Sequence, residues 1–194
     1  MLLKLKSNVF LSLLLILSFS FFLTTIPCKA STELEGIWQD TCQQVVQDGD
    51  LKNQIATFIF SGDTAKIERV DYQDKNCSTK FSSLVLTSTF TISGKSNSIP
   101  GAKNLDYTVI SVEAIFHNKA GVNLVNKMNF CGYSDWQVNV TKDITGAPGI
   151  NSKGDKLYDI YKIEDGNKLY IGSNEAVGSA TRPTSLRAFY ATKQ

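Results

Sequence analysis

His117 is the only histidine in this 194-residue chain, and that narrows the available chemistry. Nucleophilic triads and most zinc sites draw on imidazole as base or ligand. A lone histidine beside Phe116 reads instead as a polar residue at a strand end. Carboxylates occur in close pairs, at Glu33 and Glu35, Asp48 and Asp50, and Asp71 and Asp74. General acid–base work needs a cleft that moves one partner's pKa, and each pair sits among polar or turn residues. The run Asp48-Gly49-Asp50 supplies too few oxygens for a calcium loop. The run Gly146-Ala147-Pro148-Gly149 lacks the lysine and the spacing of a phosphate loop. We therefore expect no catalytic residue, no metal site, no cofactor and no enzyme activity.

Aromatic residues offer the other chemistry. Cys131-Gly132-Tyr133-Ser134-Asp135-Trp136 places a thiol, a phenol and an indole within six residues. Such a loop either seals the end of a domain or touches a ligand or partner through Tyr133 and Trp136. Tyr158, Tyr161, Tyr170 and Tyr190 fall in the last third of the chain. They read first as wall and core, with Tyr158 and Tyr161 as candidates to offer hydroxyls to a bound ligand.

The elements that would position these groups are mostly strands. Turn residues recur at short intervals among Thr, Val, Ile, Tyr and Phe. Strands are predicted over 34–46, 54–60, 64–72, 84–92 and 105–116, with a tight turn at Ser61-Gly62-Asp63. The clearest is 84–92. Leu84, Leu86, Ser88, Phe90 and Ile92 alternate with Val85, Thr87, Thr89 and Thr91, which is the period of a half-buried strand. The strand at 105–116 is apolar on both faces in part, as a central strand would be. One short helix is predicted within 121–130, then strands over 136–144, 156–164, 167–171 and 186–192. Asp165-Gly166 marks a hairpin turn. Eight or nine antiparallel strands with short turns predict an all-β, up-and-down barrel, since closure hides sheet edges. A β-sandwich is the alternative, but it requires longer crossovers.

The first thirty residues have a different character. Lys4 and Lys6 precede an apolar run over 11–23, and small residues Cys28 and Ala30 stand at the −3 and −1 positions of a cleavage site. This is the pattern of a secretory signal peptide. The apolar core is shorter than the ~20 residues of a membrane span, and no later run is long enough to be one. Lipid attachment at Cys28 fits poorly, because Ile26 and Pro27 precede it where small residues belong. The domain is then 31–194, in the periplasm or outside the cell. The whole chain carries 20 basic and 18 acidic residues, and the leader removes Lys4, Lys6 and Lys29, leaving 17 and 18. The mature charge is near −1, so a nucleic-acid partner has no electrostatic footprint.

Export also decides the cysteine count. Cys28 leaves with the leader, and Cys42, Cys77 and Cys131 remain, allowing one disulfide and one spare thiol. With strands alternating up and down, Cys42 and Cys77 both fall at the upper end, so we expect that pair to join.

Gly36-Ile37-Trp38, after Leu34, resembles the Gly-x-Trp signature of lipocalins and calycin-type relatives. The further run of Cys42, Phe60-Ser61-Gly62, Tyr72, Cys77 and Lys168-Leu169-Tyr170-Ile171-Gly172 is similar to small secreted lipocalin-like proteins of bacteria. The resemblance implies an eight-stranded barrel whose base is closed by Trp38, with an arginine of the last strand across the indole. Arg187 is the expected partner and Arg182 the alternative, in a contact of about 0.5–2 kcal/mol. It also implies a small apolar or amphipathic ligand in the barrel. The alternative function is a secreted interaction module, an inhibitor or adhesion-type protein, acting through the 118–155 insert. The chain ends soon after its last strand, without the flanking helix of a typical lipocalin. The insert lies mid-chain instead, so the barrel is expected to be partly open or plugged. Mass spectrometry of the exported protein should give a chain that begins at Ser31; an intact N-terminus would count against the leader.

Overall fold

The computed structural model describes residues 32–47, 50–173 and 180–194. The predicted signal peptide lies outside them. Among the described residues, ten strands and one helix follow in order. They are β1 (Gly36–Asp40), β2 (Gln43–Gln47), β3 (Asp50–Ser61), β4 (Thr64–Tyr72), β5 (Lys80–Lys95), β6 (Lys103–Phe116), α1 (Lys119–Lys127), β7 (Lys142–Asp143), β8 (Lys156–Glu164), β9 (Lys168–Ile171) and β10 (Ala191–Lys193). A single 3-10 turn, Phe130–Gly132, follows the helix.

The antiparallel sheet runs β1-β10-β9-β8-β6-β5-β4-β3-β2, and β1 also pairs with β3. Eight strands therefore form a ring, and β1 is the strand that closes it. Trp38 faces Phe58 of β3 on one side and Lys193 of β10 on the other. The all-β, up-and-down architecture with one short helix forms as predicted, in place of two stacked sheets.

The predicted strand at 34–46 divides in two. Gln39 pairs with Thr57, but Gln43 pairs with Gln54. Two residues, Thr41 and Cys42, thus oppose Ile55 alone, which is a bulge. Beyond it β2 pairs with the start of β3 and leaves the ring as a projecting hairpin. Taking Gly36 to Asp40 as upward, this hairpin stands at the upper end.

A second bulge explains the two-sided apolarity of β6. Thr87 pairs with Ser111, but Ser88 pairs with Val109, so Ile110 is the extra residue. Leu105, Tyr107 and Val109 are buried below it, and Val112, Ala114 and Phe116 above it. The odd-numbered face turns inward, then the even-numbered one.

The ring is not a regular barrel. β8 reaches only the lower half of β6, up to Thr108. Above that point the insert follows β6 instead. Val109 N donates to Asp155 O (3.0 Å), Ile144 N to Val112 O (2.9 Å) and Asn139 N to Phe116 O (2.8 Å). The strand predicted over 136–144 shrinks to β7 plus one bridge at Val138, because the segment crosses the barrel end. The last strand begins at Ala191, later than predicted, and Arg187 precedes it with its amide bonded to Ile171 O (2.9 Å).

Cys42 and Cys77 form the disulfide, with Cα atoms 5.8 Å apart across 35 residues. It fastens the β1–β2 bulge to the β4–β5 loop. In the chain-entropy account such a link is worth about 3–4 kcal/mol. Cys42→Ser should lower the urea-unfolding free energy by about that amount, and an unchanged midpoint would show that the link is dispensable.

Candidate functional site

Trp38 anchors the lower end. Its indole is fully buried and donates Nε1–H to Leu34 O at 2.7 Å. The cation over the ring is Lys193, with Nζ 5.1 Å from the centroid. Neither Arg187 nor Arg182 takes that place. Arg187 lies 5.6 Å from the Phe189 ring, and Arg182 lies over Tyr158 while paired with Asp106. The register decides this: Lys193 is the residue opposite Trp38, and Arg187 precedes β10. Gly36 makes room, since a Cβ there would sit 3.2 Å from Lys193 Cε, and its φ of 116° suits glycine.

Tyr161 is buried at the same end. Its hydroxyl donates to Glu33 Oε1 (2.7 Å), and Lys103 Nζ reaches Glu33 Oε2 (2.8 Å). Burial raises the Glu33 pKa, but these two bonds outweigh it and hold the carboxyl below its usual range. Tyr158 pairs with Asp106 and carries Arg182 over its ring, 5.2 Å from the centroid. The two tyrosines singled out as ligand contacts are thus tied into the lower end and the β6–β8 wall.

The insert covers the upper end. Asn118 caps α1, accepting from Gly121 N at 2.8 Å. Gly121, Val122 and Val125 form the buried side of the helix. Asn126 then clips the aromatic loop, accepting from Trp136 N (2.7 Å) and donating to Trp136 O (3.1 Å). Trp136 is 2% exposed and stacks edge-on against Phe116 at 5.0 Å. Tyr133 packs on it at 5.9 Å, and Lys142 Nζ lies 4.6 Å from the Tyr133 ring. The indole is therefore part of the closure, and Tyr133 is half-buried beside it. His117 joins the same wall, with Nε2 2.8 Å from Ser83 Oγ and Nδ1 2.9 Å from Asn139 Oδ1. Cys131 is the free thiol among the described residues, and burial pushes its pKa up.

A cavity of about 390 Å³ lies between this closure and the strands. The register builds its floor in two rows. Gln54, Asp71, Ser82 and Phe116 are successive cross-strand partners from β3 to β6, and below them come Arg69, Leu84 and Ala114. Lys52 stands at the rim, while Leu124, Val125, Met128 and Phe130 face the rows from the insert. Gln54 Nε2 donates to Asp71 Oδ1 (2.9 Å) and Ser82 Oγ to Asp71 Oδ2 (3.2 Å). One wall is thus polar, with two cations and one carboxylate, and the other apolar. Asp71 and Asp74, expected as a solvated pair in a polar turn or at a strand edge, part company. Asp71 instead extends the inward face of β4 after Ala65, Ile67 and Arg69. Asp74 accepts from Ser78 N and Thr79 N, which pull its pKa down to about 2. The sequence signal for the site was an inward-facing period that turns polar near the strand ends.

Deeper in the wall are two further acids. Asp159 accepts from Ile160 N (2.8 Å) and Gly172 N (3.0 Å). Burial pushes it up to about 6, with those amides, Arg187 and Arg182 opposing. Asp40 is also pushed to about 6 by burial, against Arg187 and the Ala56 amide. Tyr107 Oη is buried without a hydrogen-bond partner among the described residues. No group of three or more His, Cys, Asp and Glu side chains among the described residues is arranged to hold a metal ion.

No protein-family model matches this chain, and no curated protein matches it in sequence.

Asp40 and Asp159 set a pH dependence. Their folded values lie above the ordinary 3.8, so the folded chain keeps protons that the unfolded chain loses. Their effect on stability is therefore most favourable below about pH 4 and is lost as pH rises to about 6. Urea midpoints should be higher at pH 5 than at pH 8, and Asp159→Asn should narrow that difference. A midpoint that rises from pH 5 to pH 8 would contradict this.

Proposed function

We propose that this is an exported, non-enzymatic, lipocalin-like binding protein that holds a small amphipathic ligand under α1. The observation that carries the reading is the two-sided cavity. Its volume falls within the ~300–1,000 Å³ of small-molecule sites, which are mostly apolar with a few placed polar groups. An apolar ligand body against Leu84, Ala114, Phe116 and Leu124 gains about 25 cal/mol for each Å² removed from water. Its polar end meets Lys52, Arg69 and the Gln54–Asp71–Ser82 row. The lipocalin-like part of the reading is supported by Gly36-Ile37-Trp38 opening β1 and by the ring of eight strands.

Export is supported by the leader pattern and by the disulfide. No helix among the described residues is long and apolar enough to cross a membrane. The alternative, partner contact through the aromatic loop of the insert, has less support because Trp136 is buried.

The test uses 8-anilinonaphthalene-1-sulfonate, an apolar fluorophore with one anionic group. It should bind the folded protein at a single site. Ala114→Phe, which fills the floor, should weaken binding at least tenfold while the circular dichroism spectrum is kept. Arg69→Met should weaken it by a smaller factor. Undiminished binding by both folded variants would overturn the assignment.

A further inference from the structure

Four polar side chains meet inside the ring, and none of them lines the cavity under α1. Asp40 ends β1, Tyr107 lies on the lower half of β6, Asp159 lies on β8, and Arg187 precedes β10. Tyr107 and Leu157 are cross-strand partners, and Asp159 is the next inward residue of β8. It is thus a diagonal neighbour of Tyr107, within reach of long side chains. The charge of Arg187 acts on Asp40, Tyr107 and Asp159 alike, and the charge of Asp159 acts on Tyr107. The guanidinium therefore faces the same space as the two carboxyls and the phenol. Exposure falls along the cluster. Arg187 is half-buried, Asp40 is 8% exposed, Asp159 2% and Tyr107 0%.

The cluster is unbalanced in two ways. The first is charge. Arg187 is the cation that acts on Asp40, and Arg187 and Arg182 act on Asp159. Arg182 is already paired with Asp106, so two carboxyls share one guanidinium. Tyr161, the next inward residue of β8, donates its hydroxyl to Glu33, which Lys103 balances. Phe90 of β5 and Leu169 and Ile171 of β9 carry no charge, and Lys193 of β10 lies over Trp38. With both carboxyls ionised, this interior is short of one positive charge. The second is hydrogen bonding. Tyr107 Oη is fully buried and has no partner among the described residues, although buried hydroxyls are nearly always bonded. Asp159 takes both of its amides on Oδ1, which leaves Oδ2 for a further donor. Asp40 takes the Ala56 amide. Three acceptors thus converge from β1, β6 and β8.

We propose that the ring interior is a second site, which takes the primary ammonium group of a small organic cation between Asp40, Asp159 and Tyr107 Oη, with Arg187 at the entrance. An ammonium carries three donors and no acceptor, which matches the three acceptors, and it supplies the missing charge that buried carboxylates require. Water would bond the phenol but leave the charge. A metal ion lacks its ligands, since no group of three His, Cys, Asp and Glu side chains is set to hold one among the described residues. Protons compete for the same place. Burial raises Asp40 and Asp159 to about 6, so both carboxyls are neutral at lower pH and ammonium uptake falls as pH drops through 6.

Isothermal titration calorimetry of the protein as cells export it, at fixed ionic strength, tests this. Propylammonium chloride should bind saturably at pH 8. Tetramethylammonium has the same charge and no N–H donor, and should bind at least tenfold more weakly. Propylammonium at pH 5 should also bind at least tenfold more weakly. Asp159→Asn should weaken binding at least tenfold and Tyr107→Phe by a smaller factor, with circular dichroism spectra kept. Ala114→Phe should leave propylammonium binding unchanged, so loss of dye binding and loss of ammonium binding are separable. The interior site is overturned if the unaltered protein shows no saturable binding at pH 8, if tetramethylammonium binds as tightly, if affinity is equal at pH 5 and pH 8, or if both folded variants bind undiminished.

Discussion

A curled antiparallel sheet has two edges, and a hydrogen-bonding group left on either one must find a partner or water. Here both edges end on β1. Within Gly36–Asp40, Gly36 to Gln39 pair with β3 on one side and Trp38 to Asp40 with β10 on the other. Trp38 stands at the middle of this junction, bonded to Leu34 O and covered by Lys193. Gly36 lets the lysine stem pass. If that join failed, the interior would open to water, and neither the buried acids nor the cavity would keep its environment.

The join is also short, and much of the upper architecture follows from that. At Thr41 and Cys42 the chain bulges out of the ring, and β2 continues as a hairpin with β3 alone. On the opposite side, β8 stops at Thr108 of β6 and the insert takes over the strand's edge. The β6–β8 pairing is thus confined to the lower half. Above it the insert lies along β6, and α1 and the Trp136 cluster close the upper end. The closure stops short of the polar rows on β3, β4 and β5, and that shortfall is the cavity.

Polar groups inside the wall have a stability cost that the fold contains rather than removes. Asp159 is held by two backbone amides, Asp40 by one, and Arg187 lies near both. Burial still dominates, so both carboxyls keep their protons at higher pH than a free acid. Among the described residues, Tyr107 Oη has no partner in the same region. Buried polar atoms without partners typically cost about 1–3 kcal/mol each.

The sequence by itself determined the strand-rich architecture, the turns and the disulfide, because these rest on local periodicity and on chain direction. Leu84 to Ile92 alternates in the sequence as it does in the wall, and up-and-down order alone brings Cys42 and Cys77 to one end. Only the tertiary structure decided where the periodicity slips. One extra residue at Ile110 reverses the inward face of β6, and one at Thr41–Cys42 frees β2 from the ring. Bulges of one residue leave almost no compositional trace. Register likewise decided that Lys193 rather than Arg187 covers Trp38. The site was illegible for the same reason: Gln54, Asp71 and Ser82 are far apart in the chain, and only cross-strand pairing sets them in a row beneath a helix.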